Sequence, residues 1–294
     1  MLDRERAAVE SALARLLPVD AWPERLHRAM AHAVFAGGKR IRPILARLAS
    51  RAAGSDPDVI TEAACGLEFI HTYSLIHDDL PAFDDDVLRR GKPTVHVAFD
   101  EATAILAGDA LLTEGLLVLA RYPCGPDWAA RRADAVALVA EAVSARGMVG
   151  GQMEDLEATG QVESREEDPK LRLERIHRAK TGCLLAASVE LGAVLAGVSD
   201  DVRRKFADFG AGLGLAFQIG DDILDATASA QDLGKSPGKD AEAGKLTYAT
   251  LYGLDTARRR LADLEEQLIG EAAEIEGPDG DLAAIARFVA RRRS

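Results

Sequence analysis

The chain has 294 residues, 48% of them apolar and 29% charged, with 36 Lys and Arg against 48 Asp and Glu for a net charge of −12. This composition excludes a disordered chain, and the acidic balance excludes a nucleic-acid partner, which needs a basic footprint to meet phosphates. Single folds of roughly 250 or more residues are common, so one domain over residues 1–294 is expected.

The chain opens Met1-Leu2-Asp3-Arg4-Glu5-Arg6, charged in both signs and without the apolar centre of an export signal. No run of about 20 uninterrupted apolar residues follows, and Glu190 interrupts the best candidate, residues 182–198. A cytoplasmic protein with no transmembrane segment is therefore expected. Cys65, Cys124 and Cys183 lack CxxC spacing and read as reduced structural thiols. The stretches between the 11 prolines are rich in Ala, Leu, Glu and Arg, the strong helix formers. Residues 57–80, 127–157 and 169–197 read as long helices, and Leu106, Leu111, Leu112, Leu116 and Leu119 recur at helical spacing between them. Alternating Val, Ile and Thr runs are scarce. The expected fold is all-α, a bundle of long helices around a central cavity. Segments 81–96, 159–168 and 229–245 break the pattern and are expected as loops. The last holds Gly234-Lys235-Ser236-Pro237-Gly238-Lys239 and then Lys245, and reads either as a solvated linker or as a lid reaching an anionic ligand.

Charged motifs punctuate this framework. Gly37-Gly38-Lys39-Arg40-Ile41-Arg42 reads as a helix start whose glycines let backbone amides approach an anion, with Lys39 and Arg42 on the turn that follows. Asp78, Asp79, Asp84, Asp85 and Asp86 then close a helix whose preceding Tyr73, Leu75 and Ile76 belong in a core. Carboxylates placed there ask for a cation. His71 lies one heptad before Asp78 and shares its face. The adjacent Arg89 and Arg90 point in different directions and can serve two separate phosphate groups, and Lys180-Thr181 supplies a further basic site. Finally Gln218, Asp221, Asp222 and Asp225 fall on one helical face, where like charges repel by a few tenths of a kcal/mol per exposed pair, roughly, and more when buried. All-oxygen ligands of this kind suit Mg²⁺, which binds through one or two carboxylates and is completed by substrate phosphates. His77-Asp78 also invites comparison with the helical metal-dependent phosphohydrolases, a reading that leaves Asp225 and its neighbours without a role.

In this order the motifs resemble those of the trans-type isoprenyl diphosphate synthases, most closely the bacterial farnesyl diphosphate synthases, from about residue 37 to about residue 252. The resemblance implies that Asp78, Asp79 and Asp84 on one wall, and Asp221, Asp222 and Asp225 on the other, bind Mg²⁺, with Mn²⁺ as the alternative. Roughly three ions would bridge the allylic diphosphate. It places Arg89, Lys180, Thr181, Gln218, Lys235 and Lys245 around that substrate, with Arg89, Lys180, Thr181 and Gln218 in the catalytic set. Lys39, Arg42, His71 and Arg90 become the isopentenyl diphosphate site. Asp85 and Asp86 receive no metal role, because Val87 stands where relatives often continue the acidic run. The implied reaction is head-to-tail condensation of isopentenyl diphosphate with dimethylallyl or geranyl diphosphate to (2E,6E)-farnesyl diphosphate, in a homodimer. Tyr73, with small Ser74 beside it, lies about 7.5 Å below Asp78 along the helix, where the resemblance implies that a bulky aromatic is the floor that stops the product at C15; the alternative is core packing for Tyr73 and a floor near Leu111, Leu112 and Thr113. A geranylgeranyl diphosphate synthase, a class I terpene cyclase and a non-catalytic partner subunit remain as alternatives.

Overall fold

A computed structural model describes residues 1–163, 168–227 and 246–291. Among them the fold is helical apart from one small hairpin. The chain runs through α1 (Leu2–Leu16), α2 (Glu24–Val34) and α3 (Ile41–Ala52) to the long α4 (Thr61–Asp78). The hairpin β1 (Leu88–Arg89) and β2 (Lys92–Pro93) and the short α5 (Val95–Ala98) then lead to α6 (Glu101–Arg121). Next come α7 (Ala129–Val143), α8 (Met148–Ala158), α9 (Pro169–Ile176), α10 (Cys183–Ala196) and α11 (Asp200–Thr227). The chain closes with α12 (Tyr248–Tyr252), α13 (Leu254–Glu276) and α14 (Asp281–Arg291).

Helices that are apolar on all sides belong inside a bundle. That places α4 and α10 at the centre, since most of their residues are buried. Helix α4 packs on α1, α3 and α6, whereas α10 packs on α3, α7 and α11, and α11 packs in turn on α13 and α14. The buried side chains form one connected cluster that begins at Val9 and ends at Val289. Two stretches, Glu101–Arg121 and Pro169–Ala196, are long and apolar enough to cross a bilayer by length and composition, a criterion broader than the uninterrupted run sought in the sequence. Both are bundle helices, with 44% and 61% of their most apolar windows buried inside the fold.

Charge ties the outer helices to this centre. Arg40 is buried and donates to Glu10 and Glu68, each at 2.7 Å, and to the carbonyl of Val34. Arg47, equally buried, donates to Glu5 at 2.7 Å and Asp58 at 2.8 Å, and Arg51 joins Glu5 to Asp281 at the far end of the chain.

Several expected elements change on folding. The helix expected over 57–80 begins with a 3₁₀ turn, Pro57–Ile60, capped where Asp58 N donates to the Asp56 side chain at 3.0 Å. The helix expected over 127–157 is two helices, because Ser144 turns its hydroxyl back onto the Glu141 carbonyl (2.9 Å) and accepts from Arg146 N (3.2 Å), a local pairing that competes with the helical ladder. The stretch 169–197 is continuous but holds a π-turn, His177–Gly182, and stops where Gly197 takes φ 75°. The segment 81–96, expected as a plain loop, contains the hairpin, whose turn residues Arg90 (φ 53°) and Gly91 (φ 75°) both have positive φ, as a two-residue type I′ turn requires. Lys39 and Arg42 do not share a helical turn: Arg40 sits at φ 52° and α3 starts only at Ile41, so Lys39 precedes the helix. The segment 229–245, with Lys235 and Lys245, lies outside the described residues.

Candidate active site

The first acidic wall is the C-terminal end of α4 and the turn beyond it. Asp78 is the last helical residue, and the turn folds back so that Asp84 N donates to the Asp78 carbonyl at 2.9 Å. Burial pushes the Asp78 carboxyl up to about 6; Lys180 and Arg89 pull against this shift, while Asp84 and Asp79 add to it. Asp79 is buried, and Arg89 holds it with Nε at 2.6 and 2.9 Å from its two oxygens and Nη2 at 2.5 Å. Arg89, expected on the allylic diphosphate, is thus clamped to Asp79 and lies 3.6 Å from Asp86. Asp84 and Asp85 are exposed.

The second wall is the C-terminal half of α11, where Gln218, Asp221, Asp222 and Asp225 lie on one helix as the spacing requires. Their burial differs: Asp222 is buried, Asp221 half-buried and Asp225 exposed. Burial pushes Asp222 up to about 7, against the lowering effect of Tyr248 N–H, which donates to its Oδ2 at 2.7 Å, and of Gln218.

The π-turn with Lys180 and Thr181 is pressed against α8 and α11 at points where no side chain fits. A Cβ on Gly151 of α8 would lie 2.2 Å from Lys180 N, and one on Gly214 of α11 would lie 2.9 Å from Gly182 Cα. Lys180 donates to Asp155 Oδ2 at 2.6 Å. Its charge reaches Asp78 as well, so the turn is electrically linked to the first wall.

A basic group gathers beside them. Arg42 is half-buried, and its Nε has neither solvent nor a hydrogen-bond partner. Burial lowers its guanidinium to about 10, with Arg90 acting in the same direction and Glu68, Cys183 and Asp221 opposing. Burial, and then Arg42, Arg90, Arg89 and Arg40, hold His71 well below its ordinary value, so at neutral pH it is an uncharged donor. Arg90 reaches back to donate to the Gly37 carbonyl, and Lys39 is exposed at the edge. Cations crowded in this way, with a sealed donor among them, are arranged for an anion.

The carboxylates fit a hard divalent cation. They offer oxygen alone, and burial has raised the two best-sheltered, Asp78 and Asp222, towards neutrality in a way that a cation would reverse. Among the described residues no three acidic, His or Cys side chains converge into a cage. Mg²⁺ completed by phosphate oxygens does not need one.

Three residues of this centre escape a reading of the sequence: Asp155, His177 and Tyr248. His177 Nε2 lies 3.4 Å from Asp222 Oδ2. Asp155 could have been suspected from its place one turn after Gly150-Gly151, and His177 from its spacing to Lys180; Tyr248 carried no signal.

The profile of the polyprenyl synthetase family matches residues 23–277. The chain belongs to the polyprenyl synthetase family. It is 43% identical over 291 residues to a farnesyl diphosphate synthase of Geobacillus stearothermophilus, covering 99% of this chain and 96% of the relative. It is also 43% identical over 277 residues to geranylgeranyl pyrophosphate synthase 7 of Arabidopsis thaliana, a chloroplastic protein, covering 92% of this chain and 78% of that one. Among solved structures, a geranyltransferase from Legionella pneumophila superposes with a TM-score of 0.83 at 34% identity, over 99% of this chain and 96% of the other. This family member is a prenyltransferase that elongates prenyl diphosphates.

Proposed function

We propose that this prenyltransferase condenses isopentenyl diphosphate with dimethylallyl and then geranyl diphosphate, releasing (2E,6E)-farnesyl diphosphate and inorganic diphosphate. The observation that supports the two-substrate reading is the sealed, partnerless Arg42 Nε in the field of Arg90 and beside His71, a basic group additional to Arg89, which is clamped to the first aspartate wall. A cyclase, with one diphosphate to hold, has no use for that second anion site.

Asp78, Asp79 and Asp84 with Asp221, Asp222 and Asp225 would hold Mg²⁺, which when bound neutralises charge building on the departing diphosphate. Lys180 exchanges Asp155 for a phosphate oxygen of the allylic substrate, and Arg89 and Gln218 add donors where that charge develops. Thr181 and the Lys180 backbone face the allylic cation. Arg42, Arg90, Lys39 and the neutral N–H of His71 hold the isopentenyl diphosphate so that its double bond attacks the allylic carbon. The proton lost afterwards goes to the released diphosphate, and no protein base is assigned.

Tyr73 is the proposed floor. It is buried on α4 and meets the His77 ring edge-on at 5.7 Å, and His77 is itself wedged against α6 where Gly108 has no side chain; a Cβ there would lie 2.1 Å from His77 Nε2. A ring braced in this way cannot swing aside for a longer chain. The test is product analysis with Mg²⁺, isopentenyl diphosphate and each of dimethylallyl, geranyl and farnesyl diphosphate. A C15 end product, with farnesyl diphosphate left unextended, is expected. A C20 product from the native protein would transfer the assignment to geranylgeranyl diphosphate, the product class named for the Arabidopsis relative. Tyr73→Ala is expected to move most product to C20 or longer, and an unchanged C15 product from it would remove Tyr73 as the floor.

A further inference from the structure

His177 has no part in the chemistry above, yet it is among the most enclosed polar side chains of the centre. Its side chain is 5% exposed and that of Asp222 7%, and they face each other across 3.4 Å, from Nε2 to Oδ2. The same Oδ2 accepts from Tyr248 N–H at 2.7 Å, so a hydrogen bond and an imidazole nitrogen from two different elements converge on one carboxylate oxygen. The other oxygen, Oδ1, has a long contact of 3.5 Å from Gln218 Nε2.

The imidazole is held by its faces. His177 Nδ1 is sealed and makes no hydrogen bond. The ring stacks on Tyr248 at 6.0 Å and 18°, and Tyr248 stacks on Tyr252 at 4.7 Å and 30°, with Lys170 Nζ 5.2 Å over the Tyr252 ring. With Nδ1 unpartnered and Nε2 against a carboxylate, the Nε2–H tautomer is the one that fits. Tyr248 is the first residue of α12, and Thr247 and Thr250 fix that helix start by a reciprocal capping box. The two groups on Asp222 Oδ2 therefore belong to a stacked ring and a capped helix start.

We propose that His177 is a positioning residue for the second aspartate cluster, which with Tyr248 N–H engages Asp222 Oδ2 and presents Oδ1 as the oxygen that ligates the divalent cation. The role rests on the metal and diphosphate reading above. A buried carboxylate free to rotate would offer either oxygen or neither, and the partners behind a metal ligand commonly govern affinity by roughly 10- to 100-fold.

The test compares His177→Phe, which keeps a stacking ring and removes the donor, with His177→Gln, which restores a donor near the place of Nε2. Mn²⁺ binding in the presence of inorganic diphosphate, followed by electron paramagnetic resonance, is the primary readout. His177→Phe is expected to bind Mn²⁺ roughly 10- to 100-fold more weakly, with a matching fall in kcat and an unchanged KM for isopentenyl diphosphate. His177→Gln is expected to recover most of that loss. Tyr248→Pro provides a second probe that removes the other donor at a helix position where Pro is well tolerated, and the same weakening is expected of it. Native Mn²⁺ affinity in His177→Phe, or equal losses in His177→Gln and His177→Phe, would overturn the role while leaving the proposed reaction standing. Failure of the native protein to bind Mn²⁺ with diphosphate would overturn the reading of the whole site, and this role with it.

Discussion

Asp78→Asn is expected to lower kcat about a thousand-fold and to leave the KM for isopentenyl diphosphate within a few-fold of native. A loss of that size corresponds to about 4 kcal/mol of transition-state stabilisation, within the range for removing one well-placed electrostatic contributor. The amide keeps the shape of the carboxylate at the end of α4 but cannot neutralise a cation. The isopentenyl site proposed on Arg42, His71 and Arg90 does not use Asp78, so its affinity should survive. The same variant makes an opposite prediction for stability without metal. The carboxyl of Asp78 titrates at about 6 in the fold, above the ordinary unfolded value of about 3.9. Its contribution is therefore full at low pH and is lost as pH rises through 6, and at pH 7.5 the charged, buried group opposes folding. Asn carries no such charge. In EDTA at pH 7.5 the variant's Tm should equal or exceed the native value, and a clearly lower Tm there would contradict the assignment of Asp78 as a charge awaiting a cation.

Glu5 should matter to folding as Asp78 matters to catalysis. Arg47→Ala is expected to cost roughly 3–5 kcal/mol in urea unfolding, because it leaves Glu5 charged, buried and half-paired. Burial pushes Glu5 up, but hydrogen bonds from Arg51 and Arg47 outweigh it and hold the carboxyl below its ordinary 4.5. A depressed folded value means that the contribution is present above 4.5 and disappears as pH falls through the folded value. Urea unfolding of the native chain should weaken more between pH 5 and 3 than that of Glu5→Gln. Parallel losses in the two proteins would show that the pair contributes nothing specific.

The sequence made the aspartate walls legible because like charges at helical spacing inside apolar sequence are costly unless something compensates them. Lys180-Thr181 and the paired arginines stood out for the complementary reason, as cations in an acidic chain. The partners chosen across distance were not legible. Nothing near Arg47 announces Glu5, and nothing near Asp222 announces Tyr248, because both pairings depend on how α1, α11 and α12 pack. At one helix start the motif offered Lys39 and Arg42 to an anion and gave no role to Arg40, which lies two positions from Arg42. A single left-handed residue at 40 separates them, sending Arg40 to Glu10 and Glu68 in the interior and Arg42 towards Arg90 and His71. The break at Ser144 was hidden because Ser is tolerated within helices, and only its hydrogen bonds back to the preceding turn expose it.

The π-turn at His177–Gly182 sets a rotational phase. A wide turn amounts to one residue inserted into a helix, and each residue of an α-helix advances the chain by about 100°. Because α10 is pinned in the core, that offset falls entirely on the side chains before it. Deleting Ala179 would let the segment from Pro169 to Ala196 wind as one regular helix with a better-matched hydrogen-bond ladder. It would also turn His177 and the whole of α9 about a quarter of a revolution away from Asp222 and Tyr252. The irregular turn is thus an angular setting, and the chain gives up helical regularity at this point to aim His177 and α9 at Asp222 and Tyr252 while α10 stays seated in the core.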